Sequence, residues 1–224
     1  MVDLFSAAST EDAVRLQMRL APLVERVPPP GFAPTTATGL DVAYAEDSTT
    51  VAAAVVTVDL ASGAEVVSAS AVGVSDFPYV PGLFAFRELP TLLAALDRLA
   101  DPPQLLVADG NGIAHPRRFG LASHLGVVTG LPSIGVAKTP LGRYQPPADD
   151  RGATSPLIDG DDEVGVALRT QRGVKPVFVS VGHRIDLPTA CRYVLRLARR
   201  YRLPETTRLA DQLSRRALRS SRDR

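Results

Sequence analysis

Apolar residues recur along this chain with two different periods, and the change of period divides it. From 9 to 27 the spacing is helical: Leu16, Leu20, Leu23 and Val27 form a stripe, Ser9 or Thr10 can cap it, and Glu11 and Asp12 suit the positive end of the helix dipole. Pro22 falls inside the stripe and predicts a kink or a split. After the extended connector PPPGFAP the pattern turns β-like. Residues 37–44 start a strand, and the β-branched runs 51–59 and 64–74, separated by Leu60 to Gly63, read as a hairpin. A helix over 89–100 turns Leu92, Leu93, Leu96 and Leu99 inward, with Pro90 in its first turn. Strands then follow at 104–109, 132–137, 163–169 and 176–181, with a helix at 116–129 and a basic amphipathic helix from about Pro188. The Pro- and Asp-rich stretch 143–163 reads as a long surface loop. Three strands in succession, then strands alternating with helices, predict an α/β fold with a mixed sheet.

At 224 residues and 45% hydrophobic, the chain can bury a full core, and a single domain over 1–224 with a basic helical tail at about 205–224 is the simplest reading. The net charge of +1 hides an asymmetry. From Arg192 to Arg224 there are 11 Arg against three acids, a net of +8, whereas 149–163 holds six acids and one Arg. Only two lysines occur, Lys138 and Lys175. A single cysteine, Cys191, excludes an internal disulfide and a thiolate metal cluster. No signal-like start and no apolar run of membrane-spanning length are present, so a cytoplasmic protein is expected. No GxGxxG follows the first strand and no Walker sequence occurs, which removes the main support for nucleotide-cofactor folds.

The chemistry concentrates where strands end. The apolar run Leu105 to Ala108 leads into Asp109, then Gly110 and Gly112, whose bare backbone lets a bound group approach closely. Asp41 lies within the first strand. If the two strands are neighbours, both carboxylates can converge on one hard divalent cation, leaving room for water and phosphate; otherwise Asp41 faces solvent and Asp109 caps a turn. Lys138 ends the strand SIGVAK and His183 follows the strand VFVSVG. The lysine suits a phosphate or simple solvation, the histidine a proton transfer, a metal or a helix cap. Glu88 reads alone as a first-turn acid complementing a helix dipole. Tyr79, stiffened by Pro78 and Pro81, presents a ring that can stack on a base or pack on the protein's own surface. Asp41 is followed by Val42 and Ala43 rather than by a second acid, which removes an aspartyl phosphatase.

Together the stretches TGLDVAY (38–44), PYVPGLFAFRE (78–88), ADGNGIAHPRRFGLASHLG (108–126), GVAK (135–138) and VSVGHRIDL (179–187) resemble the endonuclease V family, in its order and spacing, and YRLPETTRLAD also fits. The resemblance implies an RNase H-like fold, a mixed central sheet with helices on both faces. It also implies Mg²⁺-dependent hydrolysis, with Mn²⁺ able to substitute, of the second phosphodiester bond 3′ to deoxyinosine. Carried over by motif, Asp41 and Asp109 hold metal and Glu88 completes the acidic cluster. Lys138 stands near the scissile phosphate, His183 near the attacking water, and Tyr79 fills the gap left by an extruded base. Gly82, Phe84, Gly110, His115, Gly120 and Leu121 line the base pocket. The expected partner is deoxyinosine-containing DNA, met by a monomer, with arginines of 192–224 on phosphates. Inosine-containing RNA and a non-catalytic inosine binder are the alternatives; the intact set Asp41, Glu88 and Asp109 weighs against the binder.

Overall fold

The computed structural model describes residues 4–46 and 49–222. Its strands are β1 (Thr36–Tyr44), β2 (Thr50–Asp59), β3 (Glu65–Val74), β4 (Leu106–Asp109), β5 (Ser133–Ala137), β6 (Arg143–Tyr144), β7 (Thr154–Asp159), β8 (Asp162–Leu168) and β9 (Val177–His183). They form one sheet in the order β3-β2-β1-β4-β5-β9-β8-β7-β6. β1, β2 and β3 are an antiparallel meander, while β4 and β5 run parallel to β1. This is the RNase H-like arrangement that the motifs implied. The remaining strands, β9 to β6, pair antiparallel and extend it.

The helices are α1 (Thr10–Leu20), α2 (Ala85–Leu96), α3 (Leu121–Thr129), α4 (Leu187–Leu197) and α5 (Glu205–Arg222). They cover both faces. Alternate residues of the central strands go to opposite sides: Leu40, Val55, Leu106 and Ala108 pack with Leu89 and Leu92 of α2 and Leu125 of α3. Val56, Val58, Leu105 and Val107 pack with Val194 of α4 and Ala210 of α5. A strand buried on both faces reads as a continuous apolar run, which is why 51–58 is uniformly buried.

Several boundaries differ from the expectation, each for a local reason. The first helix stops at Leu20, and Pro22 sits in a short 3₁₀ turn, Ala21–Leu23, leaving Val27 exposed. Helix 89–100 starts earlier, at Ala85, with Pro90 inside it. Helix 116–129 begins only at Leu121, because 116–120 forms an irregular loop with Arg118 at φ 55°. The expected loop 143–163 holds β6, β7 and the start of β8; four of its six acids, Asp159, Asp161, Asp162 and Glu163, cluster at the tight turn between β7 and β8. The basic C-terminal stretch is two helices rather than one, and α5 lies against β1 and β2 instead of forming an appended tail.

Gly39 makes that last packing possible. A Cβ there would stand 2.2 Å from the backbone carbonyl carbon of Thr206, so only glycine lets α5 lie this close to β1. Thr206, Ala210 and Ser214, small and fully buried, form the face of α5 that approaches. Among the described residues, no helix is long and apolar enough to cross a membrane.

Candidate active site

Three parallel strands deliver their ends to one edge. Leu40 of β1 registers with Ala108 of β4, which sets Asp41 beside Asp109. Asp109 in turn registers with Val136 of β5, and Lys138 follows one residue beyond that strand. The Lys138 ammonium donates to Asp109 Oδ2. Glu88, in the first turn of α2, faces the same cleft, and the Tyr44 hydroxyl donates to its Oε1 at 3.3 Å.

The cluster is electrostatically unbalanced. Burial, then the charges of Asp109 and Asp211, push the Asp41 carboxyl up to about 7. Burial chiefly, aided by Asp41 and Asp109, pushes Glu88 up to about 8. Burial disfavours the Lys138 ammonium, but Asp109 and the charges of Asp41 and Asp211 outweigh it and hold that pKa above the usual lysine value. Three carboxylates, Asp41, Asp109 and Asp211, face one lysine, and Glu88 adds a fourth carboxyl to the cleft, an arrangement that favours added positive charge.

Beside this cleft lies a cavity of about 310 Å³. Gly82, Phe84, Gly110, His115, Gly120 and Leu121, the six residues assigned to a base pocket by motif, all line it. Glu88 and Asp109 line both the cavity and the neighbouring cleft that contains Asp41. His115 is fixed in one neutral tautomer: its Nε2–H donates to the Gly82 carbonyl at 3.0 Å, and Nδ1 accepts from the Arg117 amide at 3.2 Å. Burial, with Arg117 nearby, pushes its pKa down to about 4. Tyr79 is 70% exposed, its ring centroid 5.1 Å from that of Phe84 at the cavity wall.

His183 is not part of this cluster. β9 runs antiparallel to β5, and His183 registers with Ser133 at the start of β5, so its strand exit lies at the opposite edge of the sheet from Lys138. Its ring Nδ1 accepts from the Glu25 amide at 3.2 Å, and burial holds its pKa below the usual histidine value. A place near the attacking water, beside Asp41 and Asp109, therefore does not fit it.

Asp211 of α5 is present where sequence reasoning had placed only a tail. It raises the Asp41 pKa by charge and is held by Arg215, whose Nε donates to Oδ1 at 2.9 Å. Ser214 on the next turn donates to Asp41 Oδ2 at 3.2 Å. The buried small residues at 206, 210 and 214 were the available signal that this helix packs closely. Leu141, in the loop after β5, is a second missed member and lines the cavity. The arginines divide. Arg196 and Arg199 donate to the Leu60 carbonyl, both at 2.8 Å, and Arg202 to the Lys138 carbonyl at 2.8 Å, so these three brace the fold. Arg215 and Arg219 line a cleft with Val42, Ala43 and Tyr44, beside Asp41.

The donor chemistry fits a hard divalent cation: adjacent carboxylate oxygens at a half-buried edge with a deficit of positive charge. With Lys138 paired to Asp109, no group of three or more acidic, histidine or cysteine side chains among the described residues is gathered as a ready ligand set. Asp41 and Asp109, side by side on β1 and β4, are the residues that would hold such a cation.

On this fold, carboxylates suited to a cation and an ammonium suited to a phosphate mark a nuclease that hydrolyses phosphodiester bonds. Known proteins carry the assignment to a family. The endonuclease V family model matches residues 18–212. Endonuclease V of Streptomyces avermitilis is 58% identical over 218 residues, covering 96% of this chain and 94% of the relative. The crystal structure of endonuclease V from that organism superposes with a TM-score of 0.91 at 56% identity, covering 96% of this chain and 95% of the other. Ciona intestinalis endonuclease V, solved with a 24mer DNA containing an inosine followed by a ribo-adenosine, superposes with a TM-score of 0.80 at 26% identity, covering 91% and 95%. The chain belongs to the endonuclease V family, a family of metal-dependent nucleases.

Proposed function

We propose that this protein is a DNA repair endonuclease that finds deoxyinosine, the product of adenine deamination, and hydrolyses the second phosphodiester bond on its 3′ side, leaving 3′-hydroxyl and 5′-phosphate ends. One observation carries the reading: Glu88 and Asp109 form a wall shared by the cavity and the carboxylate cleft, so a base seated in the first brings its own backbone to the second.

An extruded base costs a few kcal/mol to flip, least where pairing is already weak, and a deaminated base is weakly paired. Tyr79 occupies the vacated stack. Gly82, Gly110 and Gly120 bring backbone against the flipped base, Phe84 and Leu121 contribute apolar walls, and His115 stays neutral beside it. Asp41 and Asp109 hold Mg²⁺, for which Mn²⁺ can substitute; when bound, the cation polarises the phosphate and lowers the pKa of its water. Glu88, on the wall shared by the cavity and the cleft, completes the acidic cluster around the attacking water. Lys138 is protonated beside Asp109 and meets the phosphate, and Asp211 supports the Asp41 side of the site. Arg215 and Arg219 lie where a continuing phosphate backbone would pass. The working protein is a monomer of the cytoplasm, where its DNA substrate lies.

A second reading, cleavage of inosine-containing RNA, is favoured by the ribo-adenosine that follows inosine in the nucleic acid bound to the Ciona relative. The test is a duplex oligonucleotide with one deoxyinosine, incubated with Mg²⁺ or with EDTA, beside the Asp109→Ala variant. A single Mg²⁺-dependent nick one nucleotide beyond the lesion, absent in the variant, is expected. Tight binding without a cut by the wild-type protein would overturn the reading in favour of a binder, and cleavage of only the RNA version would move the substrate to RNA.

A further inference from the structure

The cavity has a support that none of its assigned roles includes. Gln17, on α1, is 1% exposed and lies just before the matched span of the family, 18–212. Its Nε2 donates to the Gly82 carbonyl at 3.0 Å and to the Phe119 carbonyl at 3.1 Å, tying together two chain segments that contribute Gly82 and Gly120 to the cavity lining, beside Gln17 itself. Its Oε1 accepts from Arg117 Nε at 2.6 Å. Arg117 Nη2 returns to the same Gly82 carbonyl at 2.9 Å, where His115 Nε2 also donates. One carbonyl oxygen thus receives three side-chain donors from two elements, at a glycine held at φ 81° in the loop that carries Tyr79. Backbone that faces a base needs this fixing, because a loop free to shift by a fraction of an ångström loses its discrimination.

We infer that Gln17 is a specificity-positioning residue: together with Arg117 it clamps the Gly82 and Phe119 carbonyls and thereby sets the width of the cavity that selects the base. The inference rests on reading that cavity as the base pocket. Gln17 touches no reacting atom; it acts by removing freedom from the walls. A purely stabilising glutamine would lower folding stability and leave base preference alone, whereas a clamp loosens preference for the lesion while the chemistry at Asp41 and Asp109 continues.

Gln17→Met keeps the shape and removes every hydrogen bond, and Val194→Ala, in the core on the far face of the sheet, supplies a matched loss of thermal stability. Binding is measured on a deoxyinosine duplex and on the same duplex without the lesion, and the single-turnover cleavage rate at saturation on the first. For Gln17→Met, affinity for the deoxyinosine duplex falls about tenfold, as expected for losing two or three hydrogen bonds. Affinity for the plain duplex and the saturated rate stay within about threefold. Arg117→Met has a similar effect, and the double variant is no worse than the single ones, because both act through one network. Val194→Ala leaves the preference intact. Equal loss on both duplexes, no loss on either, or a double variant showing the sum of the single effects would overturn the clamp. A wild-type protein that does not prefer deoxyinosine would instead overturn the reading of the cavity on which the clamp rests.

Discussion

The two edges of the sheet carry polar residues at apparently equivalent strand ends, yet only one edge is a site. At the first, β1, β4 and β5 run in the same direction and bring Asp41, Asp109 and Lys138 into one group. At the other, β9 ends in His183, which is turned inward and satisfied by the Glu25 amide. The first edge is frustrated: carboxyls are raised to about 7 and about 8, by burial first and then by neighbouring carboxylates. The second is settled, with burial holding the histidine pKa below its usual value. Unresolved charge, rather than the presence of a catalytic residue type, distinguishes them.

The largest test of this contrast is a pair of substitutions. Asp41→Asn removes charge from the frustrated edge and lowers the cleavage rate on the order of a thousandfold, the scale of losing several kcal/mol of transition-state stabilisation. His183→Asn retains an acceptor for the Glu25 amide and leaves the rate within about threefold. Equal losses in a folded His183→Asn protein would return the histidine to the mechanism.

Asp211→Asn sharpens the boundary of the site. Because Asp211 reaches Asp41 by charge from α5, its loss lowers cleavage roughly ten- to a hundredfold without abolishing it. The rise in the Mg²⁺ concentration needed for half-maximal rate tells whether it acts through the cation. No change in either quantity would confine the site to the three parallel strands and Glu88.

The smallest effect is in stability against pH. Asp41 and Glu88 have folded pKa values above their ordinary ones, so between those values the folded protein holds protons that the unfolded chain has released, and stability falls as pH rises. His115 and His124 behave oppositely. Burial lowers both to about 4, so their contribution is complete above the ordinary histidine value and is lost as pH falls from about 6.5 toward 4. Between about pH 6.5 and 8 the carboxylates dominate, and the metal-free protein loses about 1–2 kcal/mol. Thermal unfolding with EDTA checks this: Glu88→Gln flattens the decline, and added Mg²⁺ raises the wild-type Tm more at pH 8 than at pH 6.5. A Tm that climbs over this window would contradict the frustrated edge.

The sequence alone determined most of the element types and most of the residues that converge on one cleft and cavity. Period-2 and helical spacing mark the meander, the hairpin and α2, and long ordered motifs mark six cavity residues together with Asp41, Glu88, Asp109 and Lys138. Local signals suffice there because side-chain period and turn chemistry are properties of neighbouring residues. What only the tertiary structure decided was direction and approach. An apolar run followed by a polar residue reads the same whichever way its strand points, so His183 looked equivalent to Lys138 until the antiparallel pairing of β9 placed it at the far edge. Asp211 looked like part of a solvated basic tail until Gly39 let α5 lie against β1, a contact between residues 167 positions apart whose meaning exists only once both backbones meet.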